Sequence, residues 1–327
     1  MTRYVLQRLF HSFLLVLGLL TAVFFLVRLM PGDPVQLIGE QHLTAEGGDL
    51  VRRRLGLEGS LASQYLSWLG GALRGDFGES LRQQRPVTAV LAEAIPNTLL
   101  LTVGALLLEL AAGVTVGLHT ARHPRSRRAR ALSAAGLVLY SLPGFWLGLL
   151  AIMIFARDLG WLPAGGMRSP DAALLSPVAA ILDTLRHLIL PVAVLGLGNF
   201  AVTARFMRVT LGGILASEWV LALRARGLGE AAVVRHALRA SLPSLITLVG
   251  MSLPGLLGGA VVVEEVFAWP GMGRVAVQAL LARDYPVIMA VTAMVAVLVT
   301  LGSLAADVGC RLVDPRLRLD AADAEVS

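Results

Sequence analysis

Residues Glu218–Arg239, EWVLALRARGLGEAAVVRHALR, lie between two strongly apolar stretches and decide how the chain is arranged. Arg224, Arg226, Arg235, His236 and Arg239 crowd into this segment. One arginine at mid-membrane depth already costs roughly 2.5–3.5 kcal/mol, so such a cluster cannot face hydrocarbon. The segment must lie at a membrane surface. It is helix-permissive on both sides of Gly227, and a structured basic loop of this length between spans offers a place for a partner to dock.

Working outward, composition agrees with a membrane chain. Hydrophobic residues make up 56% of the sequence and charged residues 15%, with a mean hydropathy of +0.73. A soluble domain carries about a quarter charged residues. The apolar residues fall into blocks of spanning length, about 20 residues for a core of about 30 Å. These blocks run Leu9–Val27, Thr98–Thr120, Ala131–Phe155, His187–Phe206, Leu242–Val266 and Val287–Val308. The expected fold is all-α, about six membrane helices, with one extracytoplasmic segment after the first helix. The block at 187–206 is interrupted by Pro191, Gly196 and Gly198, which neighbouring helices can accommodate. The first block is too long for a signal-peptide core and has no A-x-A site before Arg28, so it reads as a retained span.

Charge then orients the helices. Arg3, Arg8, Arg122, Arg125, Arg127, Arg128, Arg130, the arginines of 205–239, and Arg311, Arg316 and Arg318 fall on one side, among few acids. On the other side, Arg52, Arg53, Arg54, Arg74, Arg82 and Arg85 are outweighed by Asp33, Glu40, Glu46, Asp49, Glu58, Asp76, Glu79 and Glu93. The positive-inside rule puts both termini in the cytoplasm. The net charge of +6 is this asymmetry and not a nucleic-acid surface, because the basic residues are divided among separate loops. The expected organisation is an N-terminus and first helix over 1–30, an extracytoplasmic segment over 31–96, and a core over 97–308. That core contains the cytoplasmic loop 207–241, and a short tail follows over 309–327. The 31–96 segment carries Leu55, Leu57, Leu61, Tyr65, Trp68 and Leu69 in a partly helical apolar pattern.

Several chemistries are excluded. The chain has no lysine, so no phosphate-cradling Walker A loop. H-E-x-x-H and G-x-S-x-G do not occur, and Cys310 stands alone. His119 and His123 share a helix face, but two ligands make an incomplete metal site, and none is expected. Glu109 lies inside the second span, where a carboxyl group is a candidate pathway residue. The plainer reading is a bundle-facing acid bonded to a neighbouring helix. Asp307, Arg311 and Arg28 sit at span ends and can reach the interface.

A set of short motifs runs in order along the chain. Pro31-Gly32-Asp33-Pro34 directly follows the first span. Asp76-Phe77-Gly78-Glu79-Ser80, Pro86-Val87 and Pro96-Asn97-Thr98-Leu99 lead into the second. Phe145-Trp146, Leu162-Pro163, Ala268-Trp269-Pro270-Gly271-Met272-Gly273, Arg283-Asp284-Tyr285-Pro286-Val287 and Asp314-Pro315-Arg316 follow. Together they resemble the permease subunits of the peptide/nickel family of ABC importers. In the Glu218–Arg239 segment, Ala222, Arg224, Ala225, Arg226, Gly227, Leu228, Arg235 and His236 match that family's cytoplasmic "EAA" loop. Leu221 and Leu223 replace the motif's acid and one alanine, and Glu218 is out of register.

The resemblance implies half of an ATP-driven translocation pathway with no catalytic residues of its own. Its expected partners are a second homologous permease, two ABC ATPases seated on the loop, an extracytoplasmic substrate-binding protein and the lipid bilayer. ATP and Mg would bind the ATPases, and no cofactor would bind this chain. The implied substrates are dipeptides, oligopeptides, glutathione-like thiols or nickel chelates. Gln84-Arg85-Pro86-Val87, Gly258-Gly259-Ala260 and Phe267–Pro270 lean towards the nickel branch. The rivals are an ion-coupled secondary transporter, which should show matched inverted halves, and a membrane-embedded protease, which needs acids within spans. Neither pattern is found.

Overall fold

The computed structural model describes residues 2–29 and 59–313; Pro31, Gly32, Asp33 and Pro34, and Asp314-Pro315-Arg316, lie outside them. Ten α-helices are present among the described residues: α1 (Thr2–Leu29), α2 (Leu61–Leu73), α3 (Val87–Arg122), α4 (Arg127–Ser141) and α5 (Gly144–Ala151), then α6 (Pro177–Leu215), α7 (Glu218–Ala225), α8 (Glu230–Val266), α9 (Met272–Leu281) and α10 (Tyr285–Val313). The fold is all-α, as expected. Five helices (α1, α3, α6, α8 and α10) are individually long and apolar enough to cross a bilayer, and the bent pair α4–α5 makes a sixth candidate.

That pair corrects the sequence reading. The block Ala131–Phe155 has the composition of one continuous span, but the chain turns through 105° between α4 and α5. Leu142 is extended (φ −85°, ψ 137°) because it precedes Pro143. Pro143 in turn has no N–H to carry a helix through. Beyond Ala151 the helix widens into a π-turn over Ile152–Asp158.

The other spans are longer than expected. α3 starts at Val87, so the last part of the 31–96 segment is already helical. α6 runs through Pro191 and on to Leu215, and α8 starts at Glu230 and runs through Pro243 and Pro254. The loop expected over 207–241 therefore shrinks to the stretch between α6 and α8 that carries α7. At 1.5 Å per residue, a 39-residue helix is about 58 Å long, so its ends stand well outside a core of about 30 Å.

The described chain forms two compact units, one of the described parts of Met1–Val5 and Leu301–Ser327 with Leu99–Trp269, the other of the described parts of Leu6–Thr98 with Pro270–Thr300. In the first, α8 and α4 pack on α6, and α5 lies against α6 and α8. Its core gathers Leu101, Leu188, Leu195, Leu256, Val263, Phe267 and Trp269. A Cβ built on Gly113 would lie 2.5 Å from Thr203 Cγ2, and one on Gly117 would lie 2.9 Å from the Ala204 carbonyl oxygen. Only glycine lets α3 and α6 come this close, the small-xxx-small device of membrane helix pairs. In the second unit, Phe24 and Val27 of α1 pack with Tyr65 and Trp68 of α2 and with Tyr285 and Met289 of α10. Val87 and Leu91 pack with Met272 and Val291.

Candidate functional site

The basic loop folds as a small helix between two turns. α7 covers Glu218–Ala225, and Ser217 starts it in an extended conformation. Val220 is fully buried beneath it, whereas Glu218, Trp219, Leu221, Ala222, Arg224 and Ala225 are exposed. Glu218, Leu221, Ala222 and Ala225 follow the i, i+3, i+4, i+7 spacing of one helix face. That outer face is one acid, Glu218, followed by the apolar Leu221, Ala222 and Ala225, on a helix anchored by the buried Val220.

Three features fix the angle at which α7 is presented. The Trp219 ring meets the His236 ring edge-on at a centroid distance of 6.3 Å, joining α7 to the first turns of α8. The Arg224 guanidinium donates to Glu230, with Nε–Oε1 at 2.8 Å. Gly227 turns the chain back with φ +82°, in the left-handed region; its N–H donates to the Arg224 carbonyl (2.9 Å), and the Leu228 N–H to that of Leu223 (3.3 Å). This is a left-handed helix stop that satisfies the last carbonyls of α7. Nothing lies within 4 Å of a Cβ built on Gly227, so the requirement there is conformational and not steric. Arg226 and Arg235 are exposed, and Leu228 and His236 are half-buried.

The family motifs described in the second unit, far apart in sequence, meet in space. The Asp284 carboxyl is buried and accepts the Ser80 hydroxyl at 2.5 Å and the Arg82 N–H at 3.2 Å. Ser80 Oγ also receives the Gln83 N–H at 2.9 Å. Asp76 Oδ1 accepts the Gly78 N–H at 2.9 Å, and Gly78 has φ +80°. The result is a tight hairpin around the Glu79–Pro86 bridge. Asn97 donates to the Pro270 carbonyl (2.8 Å), and Thr98 Oγ1 accepts the Met272 N–H (2.8 Å). Gly271 caps α9, and Tyr285 and Pro286 begin α10 with Tyr285 buried. Phe77 packs on the Val87–Met272 cluster, whereas Trp269 is fully buried in the core of the other unit. These residues are too widely spaced in the chain for pattern reading to have paired them. The close contact of α3 with α6 does have a local signal in the chain, the Gly113-x-x-x-Gly117 spacing.

Glu109 lies on α3, 2% exposed, with its Oε1 accepting the Thr203 hydroxyl of α6 at 2.7 Å. Glu109→Gln is expected to keep transport, since an amide offers the same shape and an acceptor oxygen. Glu109→Leu should lower thermal stability by the worth of an interhelical hydrogen bond, about 0.6–1.7 kcal/mol. Thermal unfolding in detergent together with an uptake assay checks both. Loss of uptake in a stable, assembled Glu109→Gln chain would instead make this carboxyl a pathway group. His119 and His123 stack at the end of α3, ring centroids 5.1 Å apart.

Comparison with known proteins places this architecture. Residues 113–319 match the family model of the binding-protein-dependent transport system inner membrane component, and residues 1–102 match that of its N-terminal portion. The chain is 35% identical over 319 residues to the oligopeptide transport system permease protein AppB of Bacillus subtilis, covering 97% of this chain and 99% of that protein. It is 36% identical over 325 residues to the di/tripeptide transport system permease protein DppB of Pseudomonas aeruginosa, covering 92% and 97%. It is 35% identical over 323 residues to the glutathione transport system permease protein GsiC of Escherichia coli K12, covering 97% and 99%. A chain of the inward-facing MetNI methionine ABC transporter shares the fold, with a TM-score of 0.55 at 21% identity over 69% of this chain and 96% of that one. With full-length relatives and a matching membrane fold, the chain belongs to the binding-protein-dependent transport system inner membrane component family and is a permease subunit of an ABC importer.

Proposed function

We propose that α7 is the element on which an ABC ATPase docks, and that the transporter imports short peptides. The observation that carries the docking reading is the form of the loop: a separate short helix, anchored by Val220 and His236, with Glu218, Leu221, Ala222 and Ala225 exposed on one face and a left-handed glycine stop. A rigid helix can transmit a push, whereas a lipid-resting helix keeps acids such as Glu218 off its apolar face. ATP closure between two ATPases would move this helix together with α8, and a second permease would supply the other half of the pathway. This chain would couple motion without making or breaking a bond.

The names of the full-length relatives (oligopeptide, di/tripeptide and glutathione permeases) favour a peptide-like substrate over a nickel chelate. The arginine asymmetry supports placing α7 and both termini in the cytoplasm of a bacterial or archaeal cell. A reporter active only in the cytoplasm should work when fused at Arg125, Gly229 or the C-terminus and fail at Gly59 or Met272; activity at Gly59 would reverse the orientation. Affinity-tagged chain from native membranes should retain an ATPase, and wild-type membranes should take up dipeptides in an ATP-dependent manner. Failure to retain an ATPase would sink the docking reading.

A further inference from the structure

The unit that holds the Ser80–Asp284 hairpin contains a cavity of about 420 Å³, within the range of roughly 300–1,000 Å³ typical of small-molecule sites. Its polar wall is Gln83, Arg85, Glu93, Asn97, Arg274 and Gln278, with Val90, Ala94 and Val275 as its apolar part. Nothing so far assigns it a ligand.

The wall is built and held in place. Arg85 and Glu93 pair through two contacts of 2.7 Å, and Arg85 Nε donates to Gln83 Oε1 at 2.9 Å. Asn97 is fixed on the Pro270 carbonyl. The loop that carries Gln83 and Arg85 closes on itself through Ser80 N–H to the Arg85 carbonyl (3.0 Å) and Gln84 N–H to the Ser80 carbonyl (2.9 Å). Asp284 buttresses that loop from behind. Between the two lining residues, Gln84 has φ +52°, in the left-handed region that few residues other than glycine, asparagine and aspartate adopt. The Arg85 and Glu93 side chains are nonetheless 38% and 64% exposed, so their charges stay within reach. An ion pair this exposed is easily opened to share its partners.

The chemistry is mixed. Two guanidinium groups, one carboxyl group and three amide side chains line a single concave space. A purely anionic or cationic ligand would meet a like charge there, whereas a zwitterion with amide bonds can exchange with both halves of the exposed Arg85–Glu93 pair. We propose that this cavity is a peptide subsite of the permease. The arginines would take the free carboxylate, Glu93 the free ammonium, and Gln83, Asn97 and Gln278 the peptide groups. The proposal rests on the peptide reading above. The same cavity could instead receive a loop of the binding protein; its concave wall, with charges of both signs, favours the small ligand.

The test uses the complete transporter complex in nanodiscs without binding protein, titrated with radiolabelled alanyl-alanine. Saturable binding is expected. It should weaken at least tenfold in Gln278→Leu and in the isosteric Glu93→Gln, with ATPase retention as in wild type. N-acetylated, C-amidated alanyl-alanine should not compete. Unchanged binding in Glu93→Gln overturns the subsite, as does absence of wild-type binding in a system that still transports the dipeptide with its binding protein. Variants that lose binding-protein association but keep dipeptide binding also overturn it, and mark a protein contact. Absence of dipeptide transport by the complete wild-type system is a different result, which removes the peptide reading itself.

Discussion

Replacing Gly227 with valine is expected to leave a chain that inserts into the membrane but retains little ATPase and takes up little substrate. Gly227 has φ +82°, a region in which a β-branched residue is a genuine outlier. Holding valine there costs roughly 1–3 kcal/mol, and each 1.4 kcal/mol is about a tenfold change in an equilibrium. The turn can escape that strain only by unwinding the bonds from Gly227 and Leu228 to the end of α7, which would release the helix from its fixed angle. Because the space around Gly227 is open, bulk is not the cause of the loss. Gly227→Asn, which tolerates the left-handed region, should therefore recover much of the function. Ala222→Asp, on the exposed face of α7, should also reduce ATPase retention, by placing an acid against the partner without disturbing the turn. Co-purification and uptake at matched permease levels decide the matter. If Gly227→Val and Ala222→Asp both keep the ATPase and transport normally, α7 is not the coupling element.

The second large effect belongs to Asp284. Its buried carboxyl holds the Ser80 hydroxyl and the Arg82 N–H, and so ties the start of α10 to a hairpin 200 positions earlier in the chain. Asp284→Ala leaves those donors without their partner in a buried setting, a loss of about 1–3 kcal/mol. The hairpin should become sensitive to limited proteolysis between Arg74 and Val87, and the melting temperature should fall. Asp284→Asn keeps one acceptor oxygen and should fall less. Ser80→Ala and Asp284→Ala should be strongly non-additive, with a coupling energy of about 0.5–3 kcal/mol. Simple additivity would show that the two groups act independently and that the hairpin is held by other contacts.

These two sites differ in how far they could be read from the chain. The Gly227 turn was legible because its determinants are local: a glycine after a short helical run, flanked by arginines that cannot enter lipid. Its surroundings were not. The space around Gly227 is open within this chain, and the contact between Trp219 and His236 depends on how α7 folds back on α8. The Asp284 site showed only as motifs without a stated relation. The break at Pro143 was in plain view, yet composition alone carried the span through it. Hydropathy sums over a window and is blind to a single missing N–H.

The sequence by itself determined that the chain is helical, spans a membrane about six times and turns one basic loop to a surface. In lipid every backbone group must be satisfied within the protein, and continuous apolar blocks of this length, without the alternation of barrel strands, do so as helices. Tertiary structure alone decided which residues meet: Ser80 with Asp284, Glu109 with Thr203, Gly113 and Gly117 with α6, and the mixed-charge wall of the cavity. Each of these contacts depends on the path of the chain between distant helices, and a contact between residues some 90 to 200 positions apart leaves no periodic trace in either partner's neighbourhood.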